Sequence, residues 1–374
     1  MEITAREILY QGESDLRHYV GRDAHYLFDN IDMRLYEVVD FPTQYVNSKL
    51  VHRNLFNLPE QESLKRANFN GYIAVVELTN DCNLKCVYCY RQQNLNNDFM
   101  SMDVADALIN HFIKLDKDNI LKDKNVNINF FGGEPLMNMP ILKYIVKRLI
   151  DSIKNYSIYF SIVTNGMLLS KENMEYIIKN NIRTRISFEG DEFLQEKLRP
   201  TVNGKSAYKI IKQNLDNIPL EKRDLFSIAF SVSRFAGNLD SIIKTYIDLG
   251  FKKFNLLFII DDIVGETNIK LENLNDIKET IDDVITMYAD LLISDANIEI
   301  YPISDMMSRL HNRIPQINCH SSIDTETYGY DGSIYPCLRF LSYKEYIYGN
   351  IRTGYDQKSI DKLPISAIPA QPFR

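Results

Sequence analysis

The sequence contains no tryptophan, no long hydrophobic run and no excess of basic residues. No apolar stretch approaches the roughly 20 residues that cross a bilayer, and the first residues lack the pattern of a signal peptide, so neither a membrane span nor export is expected. The 43 basic residues are outnumbered by 50 acidic ones, which disfavours a protein that coats nucleic acid. The sequence therefore predicts a cytoplasmic protein with no nucleic-acid or membrane partner.

Cysteine is also scarce, and its number is odd. The 374 residues include five cysteines, and without an export signal this disfavours a disulfide framework and favours metal binding or catalysis. Hydrophobic residues make up 45% of the chain and charged residues 25%, which is the balance of a globular protein and excludes wholesale disorder. The length suits one large domain with smaller appendages.

The middle of the chain alternates β-rich runs with amphipathic helical stretches. Helical periodicity covers residues 104–115 and 141–153. Six strands are predicted, at residues 73–79, 126–131, 158–164, 183–188, 226–233 and 254–260. This alternation predicts an α/β fold with a parallel sheet, either barrel-like or open and doubly wound. In both architectures ligands bind at the carboxyl ends of the strands.

The clearest predicted helix follows the last of these strands. Its apolar residues recur at intervals of three and four, with acidic residues near its start. The predicted stripe consists of Leu274, Ile277, Ile281, Val284, Ile285, Tyr288, Leu291 and Leu292.

Cys82, Cys86 and Cys89 form a C-x3-C-x2-C pattern directly after the first predicted strand. Thiolates are soft ligands that suit zinc or iron–sulfur clusters. A structural zinc site needs a fourth ligand, and no further cysteine or histidine lies within twenty residues on either side. Three thiolates would instead hold three irons of a cubane 4Fe–4S cluster and leave the fourth iron open. Packed cysteines without metal and a non-catalytic zinc scaffold are the alternatives.

Further motifs stand at or shortly after the ends of later predicted strands. They are Phe131-Gly132-Gly133-Glu134-Pro135, Thr164-Asn165-Gly166, Ser187-Phe188-Glu189-Gly190, and Arg199-Pro200 followed by Asn203-Gly204-Lys205. With the TNDCNLKCVYCYR stretch, they resemble in kind and order the motifs of the radical S-adenosylmethionine (SAM) superfamily. The resemblance covers most of residues 71–260. It implies a partial (β/α)6 TIM-like barrel, a 4Fe–4S cluster on the three cysteines, and SAM as a second cofactor.

The resemblance also implies which residues contact SAM. The open iron would chelate the SAM amino and carboxylate groups, and the glycine backbone would approach the ammonium. A charge-assisted hydrogen bond to that ammonium is expected from Glu134. Glu189 stands where the family usually has aspartate and, with Ser187, would meet the ribose or the methionyl end. Arg199 is a candidate for the SAM carboxylate, with a surface arginine as the alternative. The implied set is Tyr88, Gly132, Gly133, Glu134, Pro135, Thr164, Asn165, Ser187, Glu189 and Arg199.

The implied reaction is reductive cleavage of SAM to a 5′-deoxyadenosyl radical that removes hydrogen from a peptide or protein. A crosslink, a thioether, an epimerised residue or an oxidised residue would result, and the same core acting on a small metabolite is the alternative. The expected electron donor is of the flavodoxin or ferredoxin type. Lys85 and Arg91 flank the cysteines and are expected to be solvated charges, with a contact to the cluster or the donor as the alternative.

Cys319, Gly332 and Cys337 form a C-x12-G-x4-C pattern that resembles the opening of a SPASM domain. An Asp331-Gly332 turn predicts a hairpin there. The further cysteines of the family pattern are missing, so residues 301–374 are expected to be a truncated, SPASM- or twitch-like segment. One interpretation is a second iron–sulfur cluster on Cys319 and Cys337, with His320 assisting. The alternative is a structural hairpin with unligated thiols or a bound zinc.

Residues 1–70 are expected to form a small β-rich cap before a radical SAM core at residues 71–300. The stretch HYLFDNIDMRLYEVVD predicts two strands across an Asp-Asn turn. It resembles the element by which peptide-maturing relatives capture the leader of a precursor peptide, and an exposed strand edge would suit that role. A plain packing cap is the alternative.

Overall fold

The chain divides into two compact units in the computed structural model. The first consists of Met1–Phe69 and Pro302–Cys319, and the second of Asn70–Tyr301 and His320–Arg374. The predicted division at residues 70 and 300 stays a prediction. The structure describes residues 71–91, 95–260, 267–294, 296–312, 325–341 and 343–361, together with the backbone of five short strands that precede them.

The first unit contains a five-stranded antiparallel sheet whose strands pair in sequence order. In β3 and β4, Asp29 lies opposite Arg34, which confirms the predicted hairpin. Capture of a peptide by this sheet stays a prediction. The strands are β1 (Ile8–Leu9), β2 (Leu16–Val20), β3 (His25–Asp29), β4 (Arg34–Val38) and β5 (Arg53–Asn54).

The second unit is built on a parallel sheet in which each strand pairs with the one before it. The order lacks the reversal of a doubly wound sheet, and the sheet is not closed, so the predicted partial barrel is confirmed. The six predicted strands are present, with ends displaced by at most two residues. The parallel strands are β6 (Gly71–Glu77), β7 (Asn125–Phe131), β8 (Ser157–Thr164), β9 (Arg183–Ser187), β10 (Phe226–Val232), β11 (Lys253–Phe258) and β12 (Glu299–Tyr301).

Helices connect these strands, and α8 belongs to the first unit. Among the helices that the structure describes, none combines the length and apolar character needed to span a membrane. The helices are α1 (Met102–Lys117), α2 (Met139–Ser152), α3 (Lys171–Lys179), α4 (Glu192–Leu198), α5 (Ala207–Asp216), α6 (Leu239–Asp248), α7 (Leu274–Ile293), α8 (Ile303–Asn312) and α9 (Gln357–Ile360).

The parallel sheet has one apolar face and one polar face. Successive strand residues point to opposite sides, and in β7 Val126, Ile128 and Phe130 are fully buried. The alternating residues Asn127 and Asn129 are only half-buried. The apolar face forms the core, and the polar face leaves room for ligands at the carboxyl ends of the strands.

Helix α7 buries only part of the predicted stripe, namely Ile277, Val284 and Tyr288. Leu274, Ile285 and Leu292, which the apolar stripe included, are exposed, so that part of the prediction was wrong. The hydroxyl of Thr280 can be buried because backbone carbonyls accept its hydrogen bond, that of Asp276 at 2.9 Å and that of Ala236 at 3.2 Å. The buried residues are Ile277, Thr280, Val284, Met287 and Tyr288.

The predicted carboxyl-terminal hairpin extends the sheet beyond β6. Strand β13 (Thr325–Tyr328) pairs parallel with β6 and antiparallel with β14 (Ser333–Tyr335). Gly332 turns the chain with a φ of 87°, a conformation that disfavours a side chain. Two short strands, β15 (Gly349–Asn350) and β16 (Gly354–Tyr355), complete this edge.

A buried carboxylate ties this hairpin to the sheet. Glu326 accepts hydrogen bonds from the hydroxyl groups of Tyr72 at 2.8 Å, Tyr328 at 2.9 Å, Tyr348 at 2.8 Å and Tyr355 at 3.0 Å. Burial raises the pKa of Glu326, while these four hydrogen bonds act to lower it. The cluster joins β6 to β13, β16 and the residue before β15.

Candidate functional site

The cysteine loop leaves the carboxyl end of β6 and is braced by the segment after α4. The Lys85 N–H donates to the Pro200 carbonyl at 2.7 Å, and the Val87 N–H donates to the Leu198 carbonyl at 3.0 Å. The Arg199-Pro200 motif therefore also supplies backbone that holds the loop. The three cysteines of this loop are half-buried and form no disulfide bond: Cys82, Cys86 and Cys89.

Two of these thiols, those of Cys82 and Cys86, lie where a free thiolate is disfavoured. Burial raises the pKa of Cys82 well above its usual range, and the Glu134 carboxylate adds to the rise. Burial also raises the pKa of Cys86 to about 11, although Arg199 opposes the rise. Desolvated thiols ionise readily only beside positive charge, which metal ions supply.

The donor set fits an iron–sulfur cluster. Among the described residues, no three His, Cys, Asp or Glu side chains are grouped as ligands of a single metal ion. A cubane cluster offers a separate iron to each thiolate, so its cysteines do not have to converge on one point.

The two motif glycines allow the loop after β7 to pack against the start of the cysteine loop. A Cβ at Gly132 would lie 2.4 Å from the Thr79 carbonyl oxygen, and one at Gly133 would lie 2.0 Å from that of Asp81. The Gly133 and Glu134 N–H groups donate to these same two oxygens at 2.9 and 2.8 Å. Close contacts with the chain's own backbone therefore account for glycine at these two positions. The predicted approach of the glycines to SAM stays a prediction.

Glu134 is buried, with 1% of its surface exposed, and its hydrogen bonds come from neutral groups. Its Oε1 accepts from the Thr164 hydroxyl at 2.7 Å and the Leu136 N–H at 3.1 Å, and its Oε2 accepts from the Asn165 N–H at 2.8 Å. Burial raises the pKa of Glu134 to about 7, and these hydrogen bonds offset the rise only in part. The carboxylate is therefore a good partner for a cationic ligand.

Asn165 links the third motif to the cysteine loop. Its Nδ2 donates to the Asn83 Oδ1 at 2.7 Å and lies 3.8 Å from the Cys82 Sγ. Its Oδ1 accepts from the Met167 N–H at 3.0 Å. The side chain thus fixes the loop beside the first cysteine.

Glu189 and Arg199 form a buried ion pair. The Arg199 Nε donates to the Glu189 Oε1 at 2.6 Å, and the Tyr88 hydroxyl donates to the same oxygen at 3.2 Å. Ser231 completes the cluster: its N–H donates to the Glu189 Oε2 at 2.8 Å, and its Oγ accepts from the Arg199 Nη2 at 3.0 Å. The surface alternative for Arg199 was wrong, since only 6% of it is exposed.

Pro135 lies shortly after the end of β7, and Ser187 lies at the end of β9. Pro135 is buried at the first position of a 3₁₀ helix (Pro135–Asn138), where its missing N–H has no cost. Ser187 is the last residue of β9 and lies opposite Ala229 of β10. The contacts of the implied residues with SAM stay predictions.

Arg91 is not the solvated charge that was expected. Only 3% of it is exposed, because its Nη2 donates to the Glu77 carboxylate and, at 2.7 Å, to the Asn80 Oδ1. Burial raises the pKa of Glu77, and the neighbouring arginine opposes the rise. Lys85 is exposed, as expected.

Cys337 lies at the end of the hairpin and packs near the cysteine loop. It begins a short 3₁₀ helix (Leu338–Phe340), and its Sγ accepts from the Arg339 N–H at 3.5 Å. The Tyr90 hydroxyl donates to the carbonyl of Leu338 at 3.2 Å. Cys319 and His320 lie outside the described residues, so a second cluster stays a hypothesis.

The sequence analysis missed Ser231 and Asn83. Ser231 stands at the carboxyl end of β10, where ligands gather in such sheets, and that position was an available signal. Asn83 lies between two cysteines in the chain, but no pattern links it to Asn165.

Comparison with known families gives a direct match. Residues 76–223 match the family described as the Radical SAM superfamily. An uncharacterised protein of Methanocaldococcus jannaschii is 32% identical over 49% of this chain and 62% of its own. The radical SAM cyclopropyl synthase TigE of Paramaledivibacter caminithermalis is 29% identical over 57% of this chain and 50% of its own. A cysteine-type anaerobic sulfatase-maturating enzyme of Clostridium novyi is 21% identical over 76% of both chains.

A solved structure shares the fold. It is native anSMEcpe with bound AdoMet and a Kp18Cys peptide, with a TM-score of 0.62, 15% identity, and coverage of 79% of this chain and 80% of that one. The present chain spans 62% and 50% of the lengths of the M. jannaschii and P. caminithermalis relatives. The family match, which covers less than half of this chain, and the ordered motifs agree that residues 76–223 are similar to the radical SAM superfamily.

Proposed function

We propose that this protein is a radical SAM enzyme that modifies a peptide or protein substrate. In this proposal Cys82, Cys86 and Cys89 hold a 4Fe–4S cluster. Bound together, the cluster and SAM would supply one-electron chemistry, in which SAM is split to methionine and a 5′-deoxyadenosyl radical that removes a hydrogen atom from the substrate.

The environment of Glu134 is the observation that carries the SAM-binding part of the proposal. Its carboxylate is desolvated and hydrogen-bonded only by neutral groups of Thr164, Asn165 and Leu136. An ammonium group at this place would supply the missing positive charge and form a charge-assisted hydrogen bond. Asn165 also lies beside Cys82, so the site would place such an ammonium near the cluster.

Glu189 and Arg199 would act chiefly by positioning. Their ion pair is buried, and the segment that carries Arg199 also braces the cysteine loop. The cluster of Tyr88, Glu189, Arg199 and Ser231 would therefore hold the loop and shape the wall of the SAM site. Ser187, at the end of β9, would remain available to the ribose or methionyl group.

The relatives support a peptide substrate. One similar protein is an anaerobic sulfatase-maturating enzyme, and the similar structure contains a bound peptide. The carboxyl-terminal hairpin adds strands to the sheet edge at β6, next to the loop that carries the cysteines. An electron donor of the flavodoxin or ferredoxin type would reach the cluster near the exposed Lys85.

The cluster assignment is tested with one cysteine variant and a matched control. Cys86→Ala should abolish formation of 5′-deoxyadenosine from SAM under dithionite, because an iron loses its thiolate ligand. Cys337→Ala, the same substitution outside the loop, should retain cleavage. Undiminished cleavage by Cys86→Ala would refute the assignment.

The peptide assignment is tested by isotope transfer. Deuterated peptides are incubated anaerobically with the reconstituted enzyme, SAM and dithionite, and 5′-deoxyadenosine is analysed by mass spectrometry. Deuterium should appear in 5′-deoxyadenosine when the peptide is a substrate. Transfer from a small metabolite and from none of the peptides would favour the alternative.

A further inference from the structure

An arginine of β9 lies on the polar face of the parallel sheet, below the strand ends that carry the motifs. In this strand Thr184 and Ile186 are buried on the apolar face, so Arg185 and Ser187 point to the polar face. Arg185 is exposed and stands two residues before Ser187, which places it about 7 Å deeper along the strand. Because Ser187 is at the level of the proposed SAM site, Arg185 lies beneath that site.

The sheet curves at this level and forms a recess around Arg185. Strand register places Tyr301 of β12 in the same row as Ser187 and therefore on the same face. Three strand spacings separate β9 from β12, and side chains perpendicular to a flat sheet would stay about 14 Å apart. Desolvation nevertheless lowers the pKa of Arg185, and Tyr301 opposes the lowering, so the two side chains approach each other. A guanidinium that is both accessible and desolvated lies in a recess and not on an open surface.

Arg185 forms no hydrogen bond or ion pair with the described residues. The two other cations on the polar face of the strands β6 to β12 have neighbours. The Arg183 guanidinium lies 6.0 Å from the centre of the Tyr159 ring, and Lys253 lies opposite Glu299. Desolvation disfavours the charged form of a side chain, and an opposite charge offsets this cost. An anionic ligand would therefore supply the partner that the chain does not provide.

We propose that Arg185 and Tyr301 bind a carboxylate of the peptide substrate in this recess. The planar guanidinium matches the two carboxylate oxygens, and the phenol hydroxyl can donate to one of them. The neighbour of Arg185 on β8 is the apolar Val163, so a single cation faces the ligand. One cation suits a single negative charge better than a phosphate, which carries about 1.5 to 2.

This contact would select acidic peptides and fix the substrate beneath the place proposed for SAM. The carboxylate comes from an acidic side chain or from the carboxyl terminus of the peptide. The inference rests on the proposed function, because it assumes a peptide substrate.

Binding is measured without turnover, by anaerobic calorimetric titration of the reconstituted, SAM-loaded protein. The probes are acetyl-Ala-Gly-Asp-Gly-Ala-amide, the matched peptides with asparagine and with phosphoserine, and acetyl-Ala-Gly-Gly-Gly-Ala with a free carboxyl terminus. At least one carboxylate probe should bind about tenfold or more tightly than the asparagine peptide, as for a charge-assisted contact. The aspartate and free-terminus probes distinguish the two sources of the carboxylate.

Four variants locate the binding, and iron content and SAM affinity are measured on each. Arg185→Gln should remove the preference for a carboxylate, and the fold should tolerate it because the residue is exposed. Arg185→Lys keeps the charge without the planar fork and should retain part of the preference. Tyr301→Phe should weaken binding of the carboxylate probe about two- to tenfold, through the loss of one hydrogen bond. Arg183→Gln, on the same strand and face but two residues further from the SAM site, is the matched control and should leave the preference unchanged.

The inference would be overturned if neither carboxylate probe bound more tightly than the asparagine peptide, or if the phosphoserine peptide bound most tightly. Equal loss of the preference in Arg185→Gln and Arg183→Gln would also overturn it, because a general positive potential would then be responsible. Loss of SAM affinity in Arg185→Gln would assign that residue to SAM instead. Peptides that bind through Arg185 but transfer no deuterium would contradict the proposed function and leave this site intact. Deuterium transfer that does not depend on a carboxylate would do the reverse.

Discussion

Two glutamates buried at the carboxyl ends of strands in one sheet obtain their hydrogen bonds in different ways. Glu134 follows β7 and accepts from a hydroxyl and two backbone N–H groups. Glu189 follows β9 and is paired with the guanidinium of Arg199. The charge of Glu189 is therefore neutralised from within the chain. The charge that neutralises Glu134 has to come from a ligand or a proton.

We propose that this difference suits the two residues to different tasks. A carboxylate that is already paired gains little from a second cation, so Glu189 is suited to holding Tyr88, Arg199 and Ser231 together. A carboxylate surrounded by neutral donors is suited to a cationic ligand such as the SAM ammonium. The sequence motifs present both glutamates alike, and only their partners separate them.

The largest expected effect comes from breaking the internal pair. Arg199→Met should destabilise the protein by about 3–5 kcal/mol, because it leaves the Glu189 carboxylate buried without a partner. The free energy of unfolding would be measured in urea on protein without cluster. The double variant Arg199→Met with Glu189→Gln should recover part of the loss. Equal destabilisation of the single and double variants would show that Arg199 contributes packing and not charge neutralisation.

The second effect is a pH dependence that Glu134 contributes. Its pKa in the folded protein is about 7, above the value of about 4.3 in an unfolded chain. A carboxyl group whose pKa is raised by folding stabilises the fold at pH values below its pKa in the unfolded chain. This contribution is lost as the pH rises through the pKa of the group in the folded protein. Over this window the loss is on the order of 3 kcal/mol in the protein without SAM.

The Glu134→Gln variant should lack this component. The difference in the free energy of unfolding between wild type and variant would be measured across pH values from about 4 to 8. It should move in favour of the variant as the pH rises. A difference that is constant across this range would contradict the environment described for Glu134.

A third, smaller effect concerns the ligand. Glu134→Gln should weaken SAM binding by about 1.5–3 kcal/mol, roughly tenfold to a hundredfold, because the neutral amide loses the charge that faces the ammonium. The dissociation constant would be measured on the reconstituted protein, with Glu221→Gln on the surface as the control. Unchanged affinity in Glu134→Gln would place the SAM ammonium elsewhere.

Most strands of the second unit could be predicted from local sequence patterns. The strands from β6 to β11 are short apolar runs bounded by polar residues, and their ends were within two residues of the predicted positions. The face of α7 was predicted less well, because Leu274, Ile285 and Leu292 fit a helical stripe but meet no neighbour that covers them. Burial of a helix face depends on what packs against it, which the local sequence does not contain.

Prediction of the site residues is limited in the same way, because the contacts of a residue depend on distant segments. The cysteines and the motifs at strand ends were identified because their spacing and order carry the signal. The burial of Arg91 was missed, because it depends on Glu77 and Asn80 of another segment. The sequence allows Glu189 and Arg199 either to contact SAM or to pair with each other. Only the structure shows that they pair.

The smallest predicted effect tests Ser231, one of the two site residues that sequence reasoning missed. Ser231 accepts from Arg199 and donates to the Tyr88 hydroxyl at 2.8 Å, so it connects the ion pair to the residue before Cys89. Ser231→Ala removes both hydrogen bonds but keeps the Ser231 N–H that serves Glu189, so the expected destabilisation is about 0.5–1.5 kcal/mol. Ser227→Ala, on the same face of β10, is the matched control and should be close to neutral, with urea unfolding as the measurement. If the two variants were equally stable, the hydroxyl of Ser231 would add nothing to the pair, and the neutralisation of Glu189 would rest on Arg199 and the backbone.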